Sequence, residues 1–452
     1  MDVFKSINPF TEEKTGEFLG INADQINGEI NVNRDAYVRY KEFIVNDKAA
    51  LLSRLATELK NVKEKAALLM AREMGKPVKQ GIAEIEKCAW LCEYYAKEVA
   101  ELSEPRVIVS DASDSFVRAS PQGAVFMIMP WNYPFWQVFR VAAPSAALGN
   151  SLILKHAPNV QGCAKLIEEI FVKSGFPKHY FKNLPIDTKH TEEVIAHPHI
   201  CGVSVTGSTK AGRAVAALAG KHLKKTVLEL GGSNPFIVLP DADLNDAVDK
   251  AVTGRFQNTG QSCIAAKRIL VHEKIEKSFT KLLKQKVETF QVGNPELKDT
   301  FIGPMARVDL AEELYSQYQK SIEQGATVQV PAKLTGAKFS PGVLCNVKPG
   351  MPAFDEETFG PLACITTFST IDEAVDLANQ SPYGLGVSIF CAYPEEHQHL
   401  TTQIQDGAVF FNEIVKSDPR LPFGGTKHSG YGRELSSNGY YEFANIQTVY
   451  ID

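Results

Sequence analysis

One cysteine in the sequence has neighbours that suit a nucleophile. Cys263 ends the run Asn258-Thr259-Gly260-Gln261-Ser262-Cys263, and Glu229 lies thirty-four residues earlier, in Glu229-Leu230-Gly231-Gly232. A thiol among small and polar residues can attack a carbonyl, and a carboxylate on a separate turn can later activate water. Together they indicate covalent oxidation of an aldehyde, although a free cysteine taken alone is more often a small buried apolar residue.

A second segment could supply a hydrogen-bond donor for that chemistry. In Pro130-Trp131-Asn132-Tyr133-Pro134, two prolines stiffen the chain and would fix the direction of the Asn132 amide. A fixed amide donor is what a developing oxyanion requires. The segment also fits an ordinary proline-rich strand end with Asn132 as a turn residue, and the pattern leaves both interpretations open.

Two glycine-containing segments are candidates for ligand contact. The segment from Gly207 to Gly212 joins a predicted strand to a predicted helix, where N-terminal amides attract a pyrophosphate. Its Gly-x-x-x-x-Gly spacing fits neither the usual dinucleotide fingerprint nor a Walker loop, so a tight turn explains it equally well. The segment from Pro422 to Glu434 contains four glycines, which predicts a sharply shaped loop that either touches ligand or supports a pocket.

Alternating strands and helices must position these residues. Short apolar runs between helical stretches predict parallel βαβ units and a dinucleotide-binding type of sheet. These runs are 124–129, 151–154, 202–206, 227–230 and 236–239. A second α/β region follows Cys263, so we expect two α/β domains with the cysteine near their junction, where ligand pockets are common. Before them, helices are predicted within 33–103, with a break at Gly75-Lys76-Pro77, and a hairpin is predicted near 106–118.

Composition excludes several other classes of protein. The 452 residues are 44% hydrophobic and carry a formal net charge of -5, too small to suggest a nucleic-acid or membrane surface. No stretch approaches eighteen uninterrupted apolar residues and the start has no signal-peptide pattern, so a cytoplasmic location is the default. The eight cysteines lack Cys-x-x-Cys pairs, which argues against a zinc site or a disulfide framework. Cys88 and Cys92 have the spacing of core residues on one helical face.

Several motifs, taken together and in order, resemble the aldehyde dehydrogenase superfamily over nearly the whole chain. They are Pro130 to Pro134, Lys155, Gly207-Ser208-Thr209, Glu229 to Gly232, Gly260 to Cys263, Glu357 to Pro361, and Pro422 to Glu434. Three further segments are similar to bacterial NAD(P)-dependent succinate-semialdehyde dehydrogenases. They are Lys155 to Asn159, Arg255 to Asn258 and Phe443 to Val449.

The resemblance implies a role for each matching residue. Cys263 would be the nucleophile, Glu229 the base that activates the hydrolytic water, and Asn132, with the Cys263 backbone N–H, the oxyanion hole. The cofactor, NAD or NADP, would contact seven residues and no metal would be needed. Those seven are Lys155 and Glu357 at the ribose hydroxyls, Ser208 near the pyrophosphate, Phe359 beside the nicotinamide ribose, and Trp131, Gly207 and Gly231.

One position departs from the pattern of NAD-preferring relatives. These commonly have a glutamate three residues after the ribose lysine, where it would repel a 2'-phosphate, and here that residue is Pro158. We therefore expect both cofactors to support turnover, with NAD+ modestly preferred on the strength of the resemblance.

The resemblance also implies an α/β architecture in three parts. A Rossmann-type NAD(P)-binding domain would comprise 1–105 and 122–231, and an α/β catalytic domain 232–430. A β oligomerisation arm would comprise 106–121 and 431–452. Because such arms pair subunits, a homodimer or homotetramer is expected.

The substrate is predicted from Arg140, eight residues beyond Asn132. If both lay on one helix they would share a face, about 12 Å apart along the axis, and Arg140 could grip a terminal carboxylate while the aldehyde lies at Cys263. Succinate-semialdehyde dehydrogenases use a matching arginine, and often a second one where this chain has Gln257. Gln257, Ser417, Lys416 or Arg420 would then complete the site. Alternatively, Arg140 binds a neighbouring carboxylate of the protein.

The sequence disfavours three functions other than NAD(P)-dependent aldehyde oxidation. A coenzyme A-acylating dehydrogenase is disfavoured because Glu229 is present, and such relatives tend to lack this base. A catalytically silent family member is disfavoured because Cys263, Glu229 and Asn132 are all retained. A metal-dependent hydrolase is disfavoured because the histidines, including His197 and His199, show no ligand spacing joined to carboxylates.

Overall fold

The computed structural model describes residues 2–452. Its fourteen α-helices are α1 (Ala23–Tyr40), α2 (Val45–Asn61), α3 (Lys63–Met74), α4 (Val78–Ser103), α5 (Trp136–Leu148), α6 (Gln161–Lys173), α7 (Thr191–Ala196), α8 (Thr209–Lys221), α9 (Leu244–Phe256), α10 (Glu276–Val287), α11 (Val308–Glu323), α12 (Pro352–Asp355), α13 (Ile371–Asn379) and α14 (Ser436–Glu442). No helix within residues 2–452 is long and apolar enough to cross a membrane.

The strands form two large sheets and several small ones. In chain order they are β1 (Val3–Ile7), β2 (Lys14–Leu19), β3 (Arg106–Val107), β4 (Asp114–Ser120), β5 (Ala124–Met129), β6 (Ser151–His156), β7 (Phe181–Asn183), β8 (Ile200–Thr206), β9 (Lys225–Glu229), β10 (Asn234–Val238), β11 (Ala266–His272), β12 (Thr327–Val330), β13 (Leu334–Thr335), β14 (Lys338–Phe339), β15 (Gly342–Cys345), β16 (Leu362–Phe368), β17 (Tyr383–Gly384), β18 (Val387–Phe390), β19 (Val409–Phe411), β20 (Thr426–Lys427), β21 (Gly430–Tyr431) and β22 (Asn445–Ile451).

The first large sheet has the order β21-β9-β8-β5-β6-β7 and is parallel except at β21. Both of its faces are covered, which explains why β5 and β6 are almost uninterrupted apolar runs. Along β5, Val125 and Met127 pack into one core with α2 to α6, while Ala124 and Phe126 pack into a second core on the opposite face. The predicted βαβ units of this region are confirmed.

The second large sheet has the order β12-β15-β16-β11-β10-β18-β19, with β12 as its antiparallel edge. Residues of β11 alternate between two cores in the same way, Leu270 on one face and Ile269 and Val271 on the other. Strands β11 and β16 alternate with helices α10 and α13 after Cys263, so the predicted second α/β region is confirmed. The overall prediction of an α/β fold is correct.

The chain begins with the antiparallel pair β1 and β2 and is then helical from Ala23 to Ser103, so the helices begin earlier than predicted. The predicted break is present, because α3 ends at Met74 and Gly75 has a left-handed φ of 79°. That conformation favours glycine, since any other residue would be strained there. Cys88 and Cys92 are fully buried in the core of this region, as their spacing predicted.

A three-stranded antiparallel sheet projects from these layers. Strand β4 pairs with β3 on one side and along its whole length with β22 on the other, so the predicted hairpin is joined by the C-terminal strand. Several of its apolar side chains are exposed, with Val107 at 71% and Ile446 at 54%. We call β3, β4 and β22 the arm sheet.

Candidate active site

Cys263 lies between the two large sheets, at the end of an irregular turn. After α9 the chain makes a 3₁₀ turn over Gln257–Gly260, in which Asn258 and Thr259 have left-handed φ values of 56° and 54°. A side chain at Gly260 would bring its Cβ within 2.4 Å of the Gly360 carbonyl oxygen, so only glycine fits. The turn is built to place the residues that follow it.

The turn is tied to the segment that carries Asn132. The Asn258 side-chain amide donates to the backbone oxygen of Asn132 at 2.8 Å and to that of Gln261 at 3.0 Å. Asn132 Nδ2 donates to the same Gln261 oxygen at 3.2 Å. An amide group has two N–H donors, so Asn132 keeps one for a ligand. Asn132 and Cys263 line the same cavity, as an oxyanion hole requires.

Opposing charges act on the Cys263 thiol. Burial raises the pKa of Cys263, and the positive charges of Arg140 and Lys267 oppose that rise, while Glu229 and Glu357 add to it. Lys267 is held against the site because its Nζ donates to the backbone oxygens of Gly232 and Cys263 and to Glu357. Lys267 could not be predicted from the sequence, because it looks like an ordinary residue at the start of a strand. Two cations therefore assist formation of the thiolate.

Glu229 ends β9 and lies behind the wall of the cavity. It is 2% exposed, and its Oε1 has no hydrogen-bond partner among residues 2–452. Burial and the nearby Glu434 raise the pKa of Glu229 well above its usual range, and Arg140 and Arg433 only partly offset this. A carboxyl group with a raised pKa is the stronger base once it has lost its proton, which suits a residue that takes a proton from water.

The position of Arg140 does not match its predicted role as a free cation that binds the substrate carboxylate. Helix α5 begins at Trp136, so Asn132 precedes the helix, and the eight residues do not make two helical turns between them. Arg140 is 2% exposed, its Nε lies 2.8 Å from Oε2 of Glu434, and its guanidinium lies over the ring of Phe423. The alternative stated for Arg140, an ion pair with a neighbouring carboxylate, is what the structure contains.

Three of the remaining predicted substrate residues, Gln257, Lys416 and Ser417, line a cavity of about 880 Å³ that also contains Cys263. Arg420 lies outside this lining and pairs with Asp418 at the surface. Gln257 Nε2 donates to the Tyr133 hydroxyl at 3.3 Å. Ser417 Oγ accepts from Trp136 Nε1 at 3.0 Å and from Lys87 Nζ at 2.9 Å. We call this space the substrate cavity. Lys87 also lines this cavity. It could not be predicted from the sequence, because a lone lysine in a long helix is normally a solvated residue.

A second cavity, of about 510 Å³, meets Cys263 from the other side, and we call it the cofactor cavity. Six of the seven predicted cofactor residues line it, namely Trp131, Gly207, Ser208, Gly231, Glu357 and Phe359. The rings of Trp131 and Phe359 meet edge to face, with centroids 5.8 Å apart. Gln137, which was not predicted, lines both cavities, and its Oε1 has no partner among residues 2–452.

Lys155, the seventh residue, is buried at the end of β6 and outside the lining of the cofactor cavity. Burial lowers the pKa of Lys155, and within residues 2–452 it forms no ion pair. Ser208 caps helix α8, with its Oγ accepting from the Ala211 N–H. Ser208 lines the cofactor cavity, so the N-terminus of α8 fits the anionic pyrophosphate of a nicotinamide dinucleotide.

The fold and this site together define a class of enzyme, and comparison with known proteins agrees. The family model described as "Aldehyde dehydrogenase family" matches residues 2–449, and the chain belongs to this family. The chain is therefore an aldehyde dehydrogenase by its fold and by its family.

Individual relatives cover nearly the whole chain. It is similar to the "Probable succinate-semialdehyde dehydrogenase [NADP(+)]" of Synechocystis, with 41% identity over 99% of both chains. It is similar to the succinate semialdehyde dehydrogenase [NAD(P)+] of Escherichia coli, with 42% identity over 99% of this chain and 97% of that one. Among solved structures, the succinic semialdehyde dehydrogenase of Streptococcus pyogenes in complex with NADP+ matches with a TM-score of 0.96, 31% identity and 99% coverage of both chains.

Proposed function

We infer that this protein oxidises succinate semialdehyde to succinate, with NADP+ or NAD+ as the acceptor. The observation that carries the proposal is the substrate cavity, which holds Cys263 and is lined by the cations Lys79, Lys87, Arg140, Lys298 and Lys416. A cavity rich in positive charge beside the nucleophile favours a short aldehyde with an anionic end. The names of the relatives from Synechocystis and Escherichia coli support the same substrate.

The first half of the reaction takes place on Cys263. Its thiolate attacks the aldehyde carbon, a C–S bond forms, and the carbonyl oxygen becomes an oxyanion that the free N–H of Asn132 stabilises. The bound nicotinamide cofactor supplies an acceptor for hydride in this reaction. Arg140 and Lys267 favour the thiolate that begins it, since both oppose the rise in the pKa of Cys263.

The second half releases the product and restores the enzyme. After loss of hydride, the acyl group is held on Cys263 as a thioester. Glu229 accepts a proton from a water molecule whose oxygen attacks the acyl carbon, the C–S bond breaks, and the carboxylic acid leaves as the thiolate returns. The buried Glu229 carboxyl supports hydrolysis over transfer to coenzyme A.

Both cofactors are proposed to work, with NADP+ favoured. The unpaired Lys155 can donate to either a ribose hydroxyl or a 2'-phosphate, and the exposed Pro158 three residues later carries no charge to repel the phosphate. The names of the similar proteins specify NADP(+) or NAD(P)+ as the cofactor. The modest NAD+ preference expected from sequence is replaced by this proposal.

The arm sheet is proposed to join subunits into a homodimer or homotetramer. Its exposed Val107, Ile446 and Tyr450 leave apolar surface on a sheet whose outer edges are unpaired within residues 2–452. The domain boundaries predicted from sequence, with the arm at 106–121 and 431–452, remain a proposal of the same kind. A cytoplasmic location is supported by eight cysteines that are all free thiols.

Initial rates with a panel of aldehydes test the function. Succinate semialdehyde, butanal, glutarate semialdehyde and propanal are each assayed with NAD+ and with NADP+, in the presence and absence of coenzyme A. We expect the highest kcat/KM for succinate semialdehyde and free succinate as product, with no acyl-coenzyme A formed. A preference for butanal would refute the substrate, and formation of succinyl-coenzyme A would refute the hydrolytic route.

A further inference from the structure

One cation in the substrate cavity has no carboxylate of the protein to neutralise it. Lys87 lies on α4, partly buried, with its Nζ 4.4 Å from the centre of the Trp136 ring. Within residues 2–452 it forms no ion pair. We propose that Lys87, together with the Ser417 hydroxyl, binds the terminal carboxylate of the aldehyde substrate. This inference rests on the proposed function, since it names the group that selects an anionic substrate.

Most of the buried or nearby charged groups around Lys87 are already matched. Arg140 pairs with Glu434, Lys416 with Glu413, and Arg420 with Asp418. The buried Glu84, one turn before Lys87 on the same helix, pairs with Lys76. The opposite charges within each of these ion pairs largely cancel. A ligand anion in the cavity is therefore attracted mainly to Lys87, the partly buried cation whose charge no ion pair balances.

Two further lysines that line the cavity also lack an ion pair, but their setting differs. Lys79 and Lys298 are exposed to solvent, whereas Lys87 is partly buried beneath them. Exposed charges are screened by water and salt and attract an anion only weakly. They can steer the substrate toward the cavity, and the specific contact falls to Lys87.

The hydrogen bonds around Lys87 leave donors for a carboxylate. An ammonium group has three N–H donors, and Lys87 gives one to Ser417 Oγ. Ser417 Oγ also accepts from Trp136 Nε1, so both of its lone pairs are used and its own O–H remains to donate. Two adjacent groups, one of them charged, can therefore donate to the two oxygens of one carboxylate.

The electrostatics of the free enzyme agree with a site that awaits an anion. Burial, and to a lesser degree Arg140, lower the pKa of Lys87 to about 8, and the opposing effects of Cys88, Asp418 and Glu84 are smaller. A bound carboxylate would supply further negative charge. The site thus favours an ω-carboxylate aldehyde over an uncharged one of equal length, without help from Arg140.

The test compares succinate semialdehyde with butanal in four purified full-length proteins. These are the wild type, Lys87→Met, Lys87→Arg, and Lys79→Met as a control that removes an exposed lysine from the same helix and cavity. We expect Lys87→Met to lower kcat/KM for succinate semialdehyde by roughly 10- to 100-fold, chiefly through KM, since a charge-assisted hydrogen bond is lost. The value for butanal should change by no more than about 2-fold, which also shows that the variant is folded.

The two controls sharpen the outcome. Lys87→Arg keeps the charge and should recover most of the preference for succinate semialdehyde, while Lys79→Met should change it by less than about 3-fold. An unchanged ratio of the two kcat/KM values in Lys87→Met would overturn this inference alone. A wild-type enzyme that does not prefer succinate semialdehyde to butanal would instead overturn the proposed function.

Discussion

The two cavities that meet at Cys263 carry opposite charge. The cofactor cavity is lined by four carboxylates, Glu313, Asp355, Glu356 and Glu357, and by no lysine or arginine among residues 2–452. The substrate cavity is lined by five cations and two carboxylates, Glu84 and Asp299. An anionic aldehyde is therefore attracted to one side of the cysteine only. This difference supports the proposal that the positive charges lining the substrate cavity help to select an anionic substrate.

A second contrast lies within the substrate cavity. Arg140 and Lys87 both line it, but Arg140 is balanced by Glu434 and Lys87 is not. A buried pair contributes to the fold and to the position of its members, whereas an unpaired cation is available to a ligand. The predictions below test these two contrasts.

Removal of the Cys263 thiol should have the largest effect. Cys263→Ala takes away the thiol that is proposed to bond to the aldehyde carbon, so formation of reduced cofactor should fall on the order of 10⁴-fold or more. The measurement is the absorbance of reduced cofactor at saturating aldehyde. Cys201→Ala, which changes a partly buried cysteine on β8, is the matched control and should keep its activity. Turnover in Cys263→Ala would refute covalent catalysis.

Glu229→Gln should separate the two halves of the reaction. Since Glu229 is proposed to act only on the thioester, the variant should keep a rapid burst of reduced cofactor and lose steady-state turnover by roughly 10²- to 10⁴-fold. Stopped-flow absorbance records both phases. Because the pKa of Glu229 is raised, the slow phase of the wild type should quicken as pH rises. Loss of the burst together with turnover would assign Glu229 to an earlier step.

Arg140→Met should disturb the fold more than it disturbs substrate choice. It leaves Glu434 buried without its partner, which costs about 3 to 5 kcal/mol of the free energy of unfolding. Activities toward succinate semialdehyde and butanal should fall by similar factors. Denaturant unfolding measures the first and initial rates the second, and Arg140→Met with Glu434→Gln should recover part of the stability. A selective loss for succinate semialdehyde would return Arg140 to the role predicted from sequence.

Preference for the charged aldehyde should decline at high pH. The charge on Lys87 is lost as pH rises through about 8, so its attraction for a carboxylate is present below that pH and weakens above it. The groups that face Lys87 are Arg140, which lowers its pKa, and Cys88, Asp418 and Glu84, which raise it. We expect the kcat/KM ratio of succinate semialdehyde to butanal to fall roughly 10-fold between pH 7 and pH 9.5. The ratio cancels the ionisation of Cys263, and Lys87→Arg should make it flat.

Much of the fold follows from local patterns, which is why the sequence predicted it. Apolar runs such as Ala124–Met129 are buried on both faces, and the break at Gly75 depends only on its own backbone. Cys263, Glu229 and Asn132 were likewise named from their own short motifs. Each of these signals is contained within a few neighbouring residues.

The charge arrangement of the substrate cavity could not be predicted in this way. The partner of Arg140 is Glu434, which lies in the glycine-rich segment at the far end of the chain. That segment supports the pocket, since Ser429 Oγ donates to the Gly231 oxygen and Glu434 holds Arg140. The position of Lys87 depends on how α4 packs against α5 and on the contact with Ser417. Contacts between distant parts of the chain decide which cation is free.

The smallest expected effect concerns the other cavity and the choice of cofactor. Pro158 is exposed and begins a 3₁₀ turn three residues after the buried Lys155. Pro158→Glu would place a carboxylate where a 2'-phosphate approaches, and a like-charge contact near solvent costs about 1 kcal/mol. We therefore expect KM for NADP+ to rise roughly 5-fold while KM for NAD+ changes by less than about 2-fold. Pro158→Gln, which changes the backbone in the same way without adding charge, separates the two causes and should leave both KM values nearly unchanged. Equal losses with both cofactors in Pro158→Glu would show that this position does not face the ribose, and the proposed preference for NADP+ would then rest on Lys155 alone.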